Sequence, residues 1–104
     1  MEDKYLQGRA SLLSVSIDDN LYKLANGNFM FVQSLCDDPD YEYGYYYFDG
    51  ETKKLIDGGV FNIDAGDDEE VVKEAMSWCG LNTNMSFELI EEYCDLEYLG
   101  FTGF

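Results

Sequence analysis

Leu13, Val15 and Ile17 alternate with Ser14 and Ser16, the period-two pattern of a half-buried strand. Asp18-Asp19-Asn20 then reads as a turn. Residues 21–25 and 28–36 flank Asn26-Gly27, a pair that supplies the two positive φ values of a type I′ turn. A β-hairpin is the natural expectation; a short helix over 18–25, ended by Gly27, is the alternative. Asp37-Asp38-Pro39-Asp40 forms a second turn. Tyr43 to Phe48 is an aromatic run suited to a strand. Asp49-Gly50-Glu51-Thr52 turns the chain again. Residues 53–56 and 60–63 are short extended pieces around Asp57-Gly58-Gly59, read as a turn or bulge. The middle of the chain is therefore an antiparallel meander.

The period changes at Asp67. Asp67 as N-cap with Glu70 three residues on makes a capping box, and Asp68 and Glu69 favour the positive end of the helix dipole. Val71, Val72, Ala75, Met76 and Cys79 line one face, and Gly80 suits a helix stop. A second helix is expected over 84–96, with Leu89, Ile90, Tyr93, Cys94 and Leu96 on one side. The tail Gly100-Phe101-Thr102-Gly103-Phe104 is apolar. Docking of Phe101 and Phe104 on the core is expected, with a partner-binding tail as the alternative.

With 46% apolar and 16% aromatic residues and one proline, the chain can build a core and is not of disordered composition. Its 104 residues suit a single domain, 1–104. No apolar stretch approaches the roughly 20 residues of a membrane helix. The acidic start Met1-Glu2-Asp3-Lys4 is unlike a signal peptide. Cys36, Cys79 and Cys94 are odd in number and form no C-x-x-C, which points to small core residues in a reducing cytoplasm.

Charge alters this ordinary picture. The chain holds 22 Asp and Glu against 6 Lys and Arg, with no histidine, for a net charge of −16. Residues 1–52 carry ten acidic and three basic groups, and 53–104 carry twelve and three, so the charge belongs to the folded body. Such a field opposes folding by self-repulsion and repels nucleic acid and anionic membranes. It attracts basic surfaces, of which grooves built to hold DNA or RNA are the commonest.

Catalytic readings find little support. Without histidine the usual general base is absent, and neither G-x-x-x-x-G-K-[ST] nor G-x-G-x-x-G occurs. Among this many carboxylates an acid–base pair at glycosidase spacing arises by chance. Asp38, Asp40, Glu42 and Asp49 are spaced as calcium-loop ligands, yet Tyr43 stands where the loop needs glycine and Asp49 where it needs glutamate. No enzyme activity, metal or cofactor is expected.

On the expected second helix, Glu88, Glu91, Glu92 and Asp95 fall at i, i+3, i+4 and i+7, one face opposite the apolar stripe. At ~1.5 Å rise per residue these carboxylates climb about 4.5–6 Å at a time, comparable to phosphates along a strand. A solvated outer face would show the same stripe. The turns at Asp18-Asp19 and at Asp37, Asp38, Asp40 and Glu42 are also acidic, as is the cap at 67–70. Tyr41, Tyr43, Tyr45 and Tyr47 share one strand face. They are expected either to build cross-strand ladders or to leave phenols exposed for a partner's Arg and Lys.

Phe31-Val32-Gln33-Ser34-Leu35-Cys36-Asp37-Asp38, then Tyr41-Glu42-Tyr43, Tyr46-Tyr47-Phe48-Asp49 and Ile56-Asp57-Gly58-Gly59-Val60-Phe61-Asn62 precede an acidic helix start. This resembles the small domains of large polyvalent proteins of phages and integrative elements in Firmicutes. Those domains often show a strand ending in C-x-D, an aromatic strand and a D-G-G-x-x-x-N turn before a helix. The resemblance covers residues 29–80, implies a mobile-element origin and assigns no residue roles. Small acidic proteins of such elements are, as a class, often inhibitors of host defence, including anti-CRISPR and anti-restriction proteins that occupy a nuclease's DNA groove; the link is one of analogy.

The expected fold is α+β: an antiparallel sheet of four to five strands with two C-terminal α-helices packed on one face. The expected function is inhibition of a host nucleic-acid-binding defence nuclease in the bacterial cytoplasm, a CRISPR effector first among them, by filling its basic DNA/RNA groove. Glu88, Glu91, Glu92 and Asp95 would imitate a phosphate row. Asp37, Asp38, Asp40 and Glu42 would form a second contact, with Tyr41, Tyr43 and Tyr45 as anchors. The alternative is a non-enzymatic interaction module whose charge confers solubility.

Overall fold

A computed structural model describes residues 17–36 and 38–104. Among the described residues five antiparallel strands form one sheet: β1 (Asn20–Leu24), β2 (Phe29–Ser34), β3 (Tyr43–Phe48), β4 (Leu55–Phe61) and β5 (Phe87–Glu91), in the order β4-β3-β2-β1-β5. One helix, α1 (Asp68–Trp78), lies between β4 and β5 in sequence. Among the described residues no helix is long and apolar enough to cross a membrane. Of the strand expected over 13–17, only Ile17 lies within the described residues; it is buried and bonds to Ser34.

The first hairpin forms as expected, and the helix alternative over 18–25 is not adopted. Its turn differs from type I′. Leu24 N–H donates to the Asn28 carbonyl at 2.9 Å, and Gly27 N–H donates to the Leu24 carbonyl at 2.9 Å. Only Gly27 takes positive φ, at +92°, so this is a three-residue loop with a glycine bulge. Asp57-Gly58-Gly59 does not turn the chain either: β4 runs straight through it. A Cβ on Gly59 would meet the Tyr45 ring at 3.2 Å, and one on Gly58 would meet the Tyr46 ring at 3.0 Å. The glycines let two tyrosine rings lie against this edge strand. The bulge sits instead beside Ile56, where the register shifts between Tyr47 and Phe48.

Helix α1 begins and ends where its sequence signals lie. The Asp67 side chain accepts from Glu70 N–H at 3.0 Å, while the Glu70 carboxylate reaches back to Gly66 N–H. Gly80 takes φ +76°, and Leu81 N–H returns to the Met76 carbonyl, closing the last turn. Val71, Val72, Ala75 and Met76 are buried against the sheet.

The second expected helix is absent. Residues 84–96 hold strand β5 followed by bends and a turn, so among the described residues one helix accompanies the sheet, not two. The helical stripe of Glu88, Glu91, Glu92 and Asp95 would have stacked like charges at i+3 and i+4 with no lysine between them, which opposes a helix. As a strand the segment pairs antiparallel with β1, setting Phe87 beside Leu24, Glu88 beside Lys23 and Leu89 beside Tyr22. The gain from ordering an edge strand against a buried one outweighs the helical periodicity.

Both sheet faces are covered. On one, Tyr22, Leu24, Met30, Val32, Tyr43, Tyr45, Tyr47 and Phe61 pack beneath α1. On the other, Leu21, Phe31 and Phe48 pack against Leu96 and Phe101 of the C-terminal tail. The tail is bonded in place by Leu55 N–H to the Thr102 carbonyl and by Thr102 N–H to the Lys53 carbonyl, at 2.9 and 3.0 Å. Phe101 rests 4.6 Å from the Phe48 ring centroid, and Phe104 5.4 Å from that of Tyr46. The tail thus docks on the core, with Phe101 buried and Phe104 half exposed. Cys79 and Cys94 pack at the margins of the two cores, whereas Cys36 is exposed.

Candidate partner-binding surface

Strand polarity brings distant acidic segments to one end of the sheet. The start of β1, the β2–β3 turn, the β4–α1 connection and the end of β5 all lie there, because β1 pairs β2 and β5, and β3 pairs β2 and β4, in antiparallel register. These segments carry Asp18 and Asp19, then Asp38, Asp40 and Glu42, then Asp64, Asp67 and Asp68, then Glu91 and Glu92. No lysine or arginine stands among them in the described residues.

Backbone bonds hold the parts together. Tyr93 N–H donates to the Asp18 carbonyl at 2.8 Å, and Cys94 N–H to the Asp19 carbonyl at 3.0 Å. Asp38 Oδ1 accepts from Asp40 and Tyr41 N–H, a local turn device. Asn62 clamps that turn from β4's end: its Oδ1 accepts from Glu42 N–H and its Nδ2 donates to the Asp40 carbonyl. The positive φ of Asp19 and Tyr93, 52° and 53°, marks the tight path of both chains here.

The crowding is felt electrostatically. The Tyr93 phenol is raised above its ordinary pKa by its hydrogen bond to Asp18, by that residue's charge and by Glu92. Asp68 is raised by burial and then by Asp67 and Asp18. Burial, followed by Glu91, Asp95 and Asp19, pushes the Cys94 thiol up to about 11. Each of these groups feels carboxylates from a different segment of the chain.

The expected site residues separate accordingly. Glu91 and Glu92 join the acidic end. Glu88 does not: it lies further along β5, opposite Lys23. Asp95 turns onto the tail face, where its Oδ1 accepts from Tyr98 N–H. Asp38, Asp40 and Glu42 form the rim of the β2–β3 turn, while Asp37 lies outside the described residues. Tyr41 is exposed, but Tyr43 and Tyr45 are 1% and 5% exposed, so these two cannot serve as surface anchors. Tyr45 instead sits with Cys79 and Asp57, and burial raises both phenol and thiol to about 12. Asp49 is at the far end of β3 from Asp38 and Asp40, about 20 Å for six extended residues, so these carboxylates cannot share an ion. Among the described residues no group of three or more His, Cys, Asp or Glu is placed to hold a metal.

Sequence reasoning passed over Asp64, and it treated Asp18, Asp19, Asp67 and Asp68 as separate turns and caps. Apolar side chains border the acidic end as well: Leu89 and Ile90 on β5, and beyond them Tyr93, are exposed. Comparison with protein-family models, curated proteins and solved structures found no match to this chain.

Proposed function

We propose that this protein is a stoichiometric inhibitor that occupies the Lys/Arg-rich nucleic-acid groove of a host defence nuclease, a CRISPR effector first among them, in competition with DNA or RNA. The observation that carries the reading is the acidic end of the sheet, where four chain segments bring carboxylates together with no lysine or arginine among them in the described residues. A rigid array of this kind attracts a basic groove over long range and loses little entropy on binding. The inhibitor works by occupancy and needs no catalytic group or cofactor. Its origin in a phage or integrative element, and its action in the bacterial cytoplasm, belong to the same proposal and rest on the resemblance of residues 29–80.

The contact surface is revised from the sequence-based one. Glu91, Glu92, Asp18, Asp19, Asp38, Asp40 and Glu42 carry it, with Tyr41 at the rim. The test is displacement of labelled DNA from a CRISPR effector nuclease by the purified protein. Displacement at about one-to-one stoichiometry that weakens between ~50 and ~500 mM salt supports the reading. Undiminished DNA binding at saturating protein across a panel of such nucleases refutes it.

One observation favours a second reading, a non-enzymatic interaction module. Leu89, Ile90 and Tyr93 place more exposed apolar surface beside the acidic end than phosphate mimicry requires. Such a module would bind its partner with affinity little changed by salt.

A further inference from the structure

On the tail face a groove of about 400 Å³ opens between the sheet and the C-terminal tail, lined by Phe31, Tyr46, Leu96 and Phe104 together with Asp95 and Glu97. Its volume falls in the range of small-ligand sites. Phe31 is buried, and the half-buried Tyr46 ring lies nearly parallel to it, centroids 6.0 Å apart with 14° between the planes, so the floor of the groove is aromatic. Phe104 packs on Tyr46 at 5.4 Å and forms one wall. Asp95 and Glu97 are exposed at the rim, and among the described residues no lysine or arginine lines the groove.

We propose that this groove binds the side chain of an arginine presented by the partner protein. Ring faces attract a cation, and a guanidinium also stacks flat on them while its edge donates paired hydrogen bonds to carboxylates. Aromatic faces beneath and carboxylates above are what that group needs on its two aspects. An anionic ligand is excluded by charge, and a neutral one would leave the carboxylates unused. The inference rests on the reading of this protein as a binder of basic grooves, and it adds a specific anchor to a diffuse attraction.

The test is NMR titration of the isotope-labelled protein with the blocked peptide Gly-Gly-Arg-Gly-Gly and with the same peptide carrying citrulline or lysine. Citrulline keeps the shape and removes the charge. The arginine peptide is expected to shift Phe31, Tyr46, Leu96, Glu97 and Phe104 saturably, and to bind at least about fivefold tighter than the citrulline peptide. Phe104→Ala and Glu97→Gln, both at exposed positions, are each expected to weaken it roughly threefold or more. Equal binding of the citrulline peptide overturns the proposal, as do shifts confined to Asp18, Asp19, Glu91 and Glu92. Arg9, the one arginine of the sequence, lies outside the described residues, and Arg9→Gln controls for self-occupancy: groove signals that move on this substitution alone, without peptide, also overturn the proposal. If the groove fails while DNA displacement persists, only this inference falls. If the groove binds arginine but no displacement occurs, only the functional reading falls.

Discussion

Tyr93 donates its backbone N–H to the carbonyl of Asp18 at 2.8 Å, tying the segment that leaves β5 to the segment that leads into β1. That bond sets Glu91 and Glu92 beside Asp18 and Asp19. The chain thereby accepts a concentration of like charge that an ordinary fold would disperse.

This concentration should be visible in stability. Adding salt from ~10 to ~150 mM is expected to raise the thermal midpoint, because screening relieves self-repulsion. A midpoint that falls over that range contradicts the account.

Asp68 gives the pH counterpart. Its carboxyl is raised above the ordinary 3.8, so the native state holds that proton more firmly than the unfolded chain. Its contribution to stability therefore falls as pH rises from 3.8 through the raised native value, and it stays lower at pH 7. Asp68→Asn is expected to melt higher than the parent at pH 7, with the gap closing below pH 3.8. Scanning calorimetry at several pH values checks this.

The cysteines should separate by reactivity. Cys36 is exposed, whereas the Cys79 thiol is pushed up to about 12, first by burial and then by Asp57. Cys94 is pushed up to about 11. A thiol reagent at pH 8 is expected to label Cys36 quickly, and Cys79 and Cys94 only on unfolding. Mass spectrometry of the labelled peptides decides it.

The tail is structural at Phe101. Phe101→Ala removes a ring packed against Phe48 and Phe29 and is expected to lower unfolding free energy by about 3–5 kcal/mol in urea titration. The half-exposed Phe104 should contribute far less to stability. Similar effects of the two substitutions would contradict this division of roles.

Two glycines provide a packing contrast. A Cβ on Gly50 would collide with the backbone carbonyl of Gly27, where the β1–β2 and β3–β4 turns touch. Gly50→Ala is expected to cost about 1–3 kcal/mol in chemical denaturation. A Cβ on Gly66 would meet only the flexible end of Glu70, at 3.5 Å, so Gly66→Ala should be close to neutral.

The sequence made local features plain. Strand β3 spans the aromatic run from Tyr43 to Phe48, and α1 starts at the Asp67 cap and stops at Gly80. These rest on neighbouring residues alone. Strand β5 was hidden because carboxylates at i, i+3 and i+4 imitate a helix face, while its actual driver is pairing with β1, far away in the chain. Asp57-Gly58-Gly59 imitated a turn because the reason for its glycines, two tyrosine rings lying close by, exists only after folding. The candidate surface was half legible. Glu91, Glu92, Asp38, Asp40 and Glu42 could be named, but that they share an end with Asp18, Asp19 and Asp68 follows from strand order, which no local pattern encodes.

The most direct test compares two quadruple variants in the DNA-displacement assay on a CRISPR effector nuclease. One reverses Asp18, Asp19, Glu91 and Glu92 to Lys; the other reverses Asp49, Glu51, Glu74 and Glu88, away from the acidic end. Circular dichroism and thermal melting establish that both remain folded. The parent is expected to displace DNA, the first variant to lose displacement by at least about tenfold, and the second to change far less. Equal loss in both variants, or displacement that survives in the first, would contradict the proposed function.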